Sequence, residues 1–276
     1  MKDSLIDYTL HLADNALVLG HRNSEWTGHG PILEQDIALS NIALDLIGQA
    51  RFLYQYAAAL LNAGGGGQGV SGGGPGVSGR PGAGAGSGVA VTEDGLAYHR
   101  DSWDFKNCLL VEQDNGDWGK TILRQFFFSA YQYYFYQRLQ SGKDRELAAV
   151  AEKSFKEVSY HLRWSSEWVI RLGDGTEESH RRMVGALDQL WRLTGELFAP
   201  ASYEKALEAA GIAVDVAALR PAWEARVGDV FQQAGLVMPE AGWQQTGGKE
   251  GRHTEHLGYL LAEMQFLQRA YPGNEW

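Results

Sequence analysis

The chain has 276 residues, 44% of them hydrophobic and 11% aromatic, which is enough to bury a sizeable core. Its formal net charge of -10, with no concentrated basic patch, argues against a nucleic-acid partner. The single cysteine, Cys108, excludes an internal disulfide and a cysteine-rich metal site, and fits a reducing compartment.

The opening, Met1-Lys2-Asp3-Ser4-Leu5-Ile6-Asp7, carries acids early and lacks an uninterrupted apolar core, so it is not read as a secretory signal. No uncharged apolar run approaches the roughly 20 residues that span a bilayer, so a cytoplasmic protein with no membrane partner is expected. Leu5, Tyr8, Leu12, Ala16 and Leu19 recur at helical spacing and mark a first helix. Ile37, Ile42, Leu46, Ala50, Leu53, Ala57 and Leu60 mark a second, long one starting near Pro31. Residues 64–88 are mostly glycine with Ser, Ala, Val, Pro75 and Pro81, and are expected to form a mobile insertion between helices. It holds no GxxxxGK[ST] arrangement, so it does not read as a phosphate-binding loop.

A shorter helical stretch is expected around Trp103 to Val111. The helix over Lys120 to Gln140 carries Phe126, Phe127, Phe128, Tyr131, Tyr133, Tyr134, Phe135 and Tyr136 on every side, which predicts a central helix surrounded by protein. Gly142 is a stop signal, and Asp144 is placed to cap a helix running to Leu172. Asp174 with Glu177 resembles a capping box for a helix to Phe198. Helices follow over Tyr203 to Ala210 and Pro221 to Gln233. A last helix striped by Leu257, Leu260, Leu261, Met264 and Leu267 should end before Pro272. No alternating strand pattern appears. The whole predicts an all-α antiparallel bundle with extra helices, a single domain over 1–276 interrupted at 64–88.

Acids and histidines inside such helices raise the question of a carboxylate-bridged di-metal centre. Those centres draw one Glu from each of two helices and a Glu-x-x-His pair from each of two others, because i, i+3 spacing puts both ligands on one face. The pair is absent here. Val158 stands three before His161, with Glu157 one residue out of register; Asp45 stands three before Gly48, which cannot ligate. The first helix offers Asp14-Asn15 where a bridging Glu would stand, and the aromatic helix offers only Phe128 and Ser129. No bound iron is expected of this ligand set, Asn15, Asp45, Gly48, Val158 and His161 being degenerate positions. An enzyme-class alternative is a self-sufficient metal-dependent oxidase using Asp45, Glu157 and His161. A third reading is a small-molecule module lined by the aromatic helix. His253 and His256, three apart without His-Glu-x-x-His spacing, read as capping and surface contacts, and Cys108 beside Leu109 and Leu110 reads as core.

Several stretches together resemble a known family, the C subunits of bacterial phenylacetyl-CoA epoxidase. They are residues 12–19 (LADNALVL), 41–51 (NIALDLIGQAR), 246–249 (TGGK), 253–258 (HTEHLG), 261–265 (LAEMQ) and 272–276 (PGNEW), and the likeness covers nearly the whole chain outside the glycine insertion. The resemblance implies a ferritin-like bundle and a structural, non-catalytic role beside a homologous subunit that carries the di-iron site. It also implies a small bridging subunit and a reductase in the same complex. That system adds one oxygen atom from O2 to the ring of phenylacetyl-CoA in aerobic phenylacetate breakdown. In the catalytic relative, Glu-x-x-His pairs are implied where this chain has Asp45-x-x-Gly48 and Val158-x-x-His161. The partner-facing surface is expected to draw on exposed apolar positions of the first two helices.

Overall fold

In the computed structural model, which describes residues 1–63, 90–240 and 242–274, the chain begins with α1 (Lys2–Ser24) and α2 (Leu33–Asn62). Short helices α3 (Glu93–Tyr98) and α4 (Leu109–Glu112) lead into α5 (Trp118–Leu139) and α6 (Arg145–Gly173). Then come α7 (Glu177–Leu190), α8 (Ser202–Glu208), α9 (Arg220–Ala234), α10 (Glu255–Met264) and α11 (Phe266–Ala270). No strand occurs among the described residues, and no helix there is long and apolar enough to cross a membrane. The expected insertion at 64–88 lies outside the described residues.

α1 packs along α2 and α5 along α6, while α2 against α6 closes a four-helix, ferritin-like bundle. Side chains fix where these helices start. Asp117 accepts from the Lys120 amide at 2.9 Å to open α5, and Asp144 accepts from the Leu147 amide at 3.0 Å to open α6, as its sequence position predicts. α7 is different. Its cap is Thr176 paired with Ser179, not Asp174 with Glu177: Thr176 has the extended backbone an N-cap needs, whereas Asp174 closes α6 with its amide on the Ile170 carbonyl at 2.9 Å. α7 also stops at Leu190, and residues 191–198 tighten into a 3₁₀ helix.

α5 is the centre of the core. Phe126, Phe127, Phe128, Tyr131, Phe135 and Tyr136 are all buried. Phe127 meets Trp191, Trp223 and Phe231 at ring-centroid distances of 5.6 to 6.0 Å, and Trp223 also donates its indole N–H to the Phe127 carbonyl at 3.0 Å. These rings fill the space beside α5 with one another. At one end of the bundle Trp118 stands edge-on to Trp26, Trp164 and Trp168, and the Gln35 side-chain oxygen accepts from both Trp164 and Trp168.

Two expected helices are broken, each for a visible reason. The stretch around Trp103 to Val111 is not one helix: after a 3₁₀ turn at 102–104 the backbone runs extended through Phe105 to Cys108. An extended segment has amides to satisfy, and α1 satisfies them: Asp14 accepts from the Lys106 amide and Asn15 from the Cys108 amide, both at 2.8 Å. Cys108 is core, as expected, and burial pushes its thiol pKa well above the usual value. The C-terminal helix splits at Gln265, whose buried amide donates to the carbonyls of Ala97 and Arg100, each at 3.0 Å. Leu267, beyond the break, is exposed.

Candidate functional site

α2, α5 and α6 bring three of the sequence-derived site residues into one polar ladder. His161 on α6 is fully buried, and its Nε2 lies 2.9 Å from the Asp45 carboxylate on α2, which is partly exposed. One helical turn along, the Glu157 carboxylate accepts from the Gln49 side-chain amide at 2.9 Å. Gln49 in turn accepts from the Tyr136 hydroxyl of α5 at 3.1 Å. Cross-links at i, i+4 on two facing helices make this regular: Asp45 and Gln49 on one side, His161 and Glu157 on the other.

The remaining predicted positions stand apart from the ladder. Val158 is buried in the apolar core. Gly48 turns away, and a Cβ built there would meet nothing within 4 Å. The interior place on that turn of α2 belongs to Gln49, one residue on. Asn15 is occupied by the Cys108 amide, and Asp14 by the Arg100 guanidinium, the Tyr54 hydroxyl and the Lys106 amide. Phe128 is core, and Ser129 accepts from Gln125.

Chemically, the ladder is two separate hydrogen-bonded sets, Asp45 with His161 and Glu157 with Gln49 and Tyr136, and the buried Nδ1 of His161 finds no partner among the described residues. Asp45 and His161 are two metal-capable groups in contact, while Glu157, one turn along α6, is bonded to Gln49. Among the described residues no group of three or more His, Cys, Asp or Glu side chains is placed to hold a metal ion. A di-iron centre of this bundle class takes carboxylates from all four helices and two histidines, a set these residues do not supply. Sequence reasoning missed Gln49 and Tyr136, because neither belongs to a ligand motif; the i+4 spacing from Asp45 to Gln49 and from Glu157 to His161 is the signal that would have found the ladder.

A second polar group straps the C-terminal segment to the bundle. Glu112, fully buried, accepts from Asn107 at 2.8 Å, His253 at 2.8 Å, the Thr254 amide at 2.6 Å and the Thr254 hydroxyl at 2.7 Å. The other nitrogen of His253 faces the Phe105 carbonyl at 2.8 Å. Both ring nitrogens therefore meet groups that only accept, which selects the doubly protonated ring. Burial opposes that charge, but the hydrogen bond and charge of Glu112 outweigh it and hold the His253 pKa above its ordinary value. So His253 is not the surface contact expected from its sequence position, since its side chain is only 4% exposed. Beside it, Glu196 accepts at 2.7 Å from the amides of Leu109, Gly247 and Gly248. Gly247 has φ 135°, a conformation that favours glycine, and that turn aims both amides at one carboxylate oxygen. Glu204 binds Lys249 at 2.9 Å, an ion pair almost wholly buried.

A family model described as "Phenylacetic acid catabolic protein" matches residues 1–276. The chain belongs to this family. It is 46% identical over 274 residues to a protein of Escherichia coli (strain K12) named as the C subunit of 1,2-phenylacetyl-CoA epoxidase, an alignment that covers 99% of this chain and all of that relative. The stretches that carry the likeness to this family are also structural straps: Asp14 and Asn15 hold residues 106–108, while residues 247–254 close over Glu112, Glu196 and Glu204.

Proposed function

We propose that this chain is the structural, non-catalytic subunit of a multicomponent oxygenase that epoxidises the ring of phenylacetyl-CoA in aerobic phenylacetate catabolism. It works in the cytoplasm beside a homologous subunit that carries the di-iron site, in a complex with a small bridging subunit and a reductase. The chain itself binds no iron. One observation carries the reading: Asp45 is bonded to His161, Glu157 and Tyr136 are both bonded to Gln49, and Val158 beside them in the sequence is apolar and buried. Full-length similarity to a relative named as the C subunit of 1,2-phenylacetyl-CoA epoxidase supports this choice of substrate and of a multi-subunit setting. A buried Val in place of a carboxylate also removes a charge that is costly without a cation beside it.

The test is iron per chain after anaerobic loading of the purified protein with ferrous iron, followed by co-purification with the di-iron subunit. The expected result is no stoichiometric iron on this chain and a stable complex with the partner. Iron near two per chain, lost in both Glu157→Ala and His161→Ala, would overturn the proposal in favour of a self-sufficient oxidase.

A further inference from the structure

Glu204 on α8 uses its two carboxylate oxygens unequally. Its Oε2 accepts from the Lys249 ammonium at 2.9 Å and from the Ala201 amide at 2.8 Å. Its Oε1 is buried and finds no donor among the described residues. A bare carboxylate oxygen in the interior is costly, because folding strips its water and returns no hydrogen bond. Facing Oε1 is His11 of α1, whose Nε2 lies 4.0 Å away, and both side chains are only 1% exposed. That gap is too long for a direct bond. The protons are wrong for one as well. The other ring nitrogen, Nδ1, lies 2.7 Å from the Lys106 carbonyl, which only accepts, so Nδ1 carries the proton. Burial pushes the His11 pKa down to about 4, so near neutral pH the ring is uncharged and Nε2 presents a lone pair. The Asn15 amide does not fill that lone pair: at 3.4 Å from Nδ1 and 3.3 Å from Nε2, it stands over the ring face. Two acceptors thus confront each other across 4.0 Å. A complementary donor is close. The Tyr131 hydroxyl of α5 is buried without a partner among the described residues, and after burial itself the Glu204 charge does most to raise its pKa.

We propose that His11, Glu204 and Tyr131 form a binding site for one water molecule, which donates to His11 Nε2 and Glu204 Oε1 and accepts from the Tyr131 hydroxyl. Two acceptors that share one water through its two hydrogens stand roughly 4–4.5 Å apart, which matches the separation of these two atoms. The chemistry selects the ligand. The site asks one atom for two donated hydrogen bonds and one accepted one; a metal cation cannot accept from the hydroxyl, and an anion would meet the Glu204 carboxylate. Buried waters typically make about three such bonds to otherwise unsatisfied groups. The bridge joins α1, α5 and α8 through side chains that form no direct hydrogen bond with one another. It stands apart from the subunit reading above, since it requires no partner chain.

The test pairs a crystal structure of the full-length chain, at a resolution that orders single waters, with urea unfolding of wild type and Tyr131→Phe. One density peak at hydrogen-bond distance from Glu204 Oε1, His11 Nε2 and the Tyr131 hydroxyl is the expected result. Tyr131→Phe keeps the ring and deletes only the hydroxyl, so its sign discriminates. Deleting a hydroxyl that has no partner relieves a desolvated group and leaves the urea midpoint unchanged or raised, whereas deleting one that bonds to a held water lowers it. A lowered midpoint is expected. The absence of a peak, a Tyr131 hydroxyl bonded directly to Glu204, or an unchanged or raised midpoint overturns the site. Should the variant fail to fold, the density decides alone.

Discussion

His253 shows how much one side chain can hold. It bridges the extended segment at Phe105 to the Glu112 carboxylate, and it does so as a cation. His253→Gln leaves Glu112 buried without its opposite charge, and breaking such a pair costs about 3–5 kcal/mol, to be read as a lowered urea midpoint. The pH dependence has a definite sign. The folded pKa of His253 lies above its ordinary 6.5, so its stabilisation is complete below about that pH and is lost as pH rises through the folded value. His11 behaves oppositely. Burial, with Lys249 nearby, pushes it down to about 4, so folding resists its protonation and stability falls as pH drops from about 6.5 toward 4. Urea midpoints measured between pH 4 and 9 should therefore peak near the middle of that range, and His253→Gln should flatten the alkaline side alone. A peak that keeps its alkaline slope in the variant would show that another group titrates there.

At the scale of elements, α5 is the beam on which the rest hangs, and α9 hangs on it through Trp223. That indole is buried, packs on Phe127, Trp191 and Phe198, and spends its N–H on a carbonyl of α5. Trp223→Ala should cost about 3–5 kcal/mol by leaving a cavity that rigid neighbouring rings cannot collapse into, measurable by thermal or urea unfolding. A loss below about 1 kcal/mol would mean that α9 is only loosely attached. Elements like these were legible in the sequence because their causes are local. The all-round aromatic pattern announced the burial of α5, and Asp144 announced the start of α6. Where the cause was distant the reading failed. Residues 105–108 are extended because Asp14 and Asn15, more than 90 positions away, take up their amides. Helix continuity breaks at Gln265 because its side chain is drawn to Ala97 and Arg100, 168 and 165 positions back. Likewise, Asp45, Glu157 and His161 could be found by inspecting motifs, but Gln49, which links Glu157 to Tyr136, has no motif of its own.

Taken whole, the molecule is closed by its own C-terminal third. Glu112, Glu196 and Glu204 are buried, and residues 247–254 supply many of the groups that satisfy them. A chain ending at residue 246 should therefore fail to hold a fixed tertiary structure: its far-UV circular dichroism would stay helical, while its near-UV signal, rich here in packed tryptophan, would collapse. Retention of the near-UV signal would show that the bundle closes without this strap. Arg22, on the first helix, donates to the carbonyl of His256, 234 positions later. Ribosomes add about 5–20 residues per second, so the 234 residues between these partners take roughly 12–47 s to appear. For that interval the nascent α1–α2 hairpin exists without α10, which packs on α1 only after α4 and α8 have been made. Such a chain keeps apolar surface of α1 open to aggregation until the last of these elements has left the ribosome.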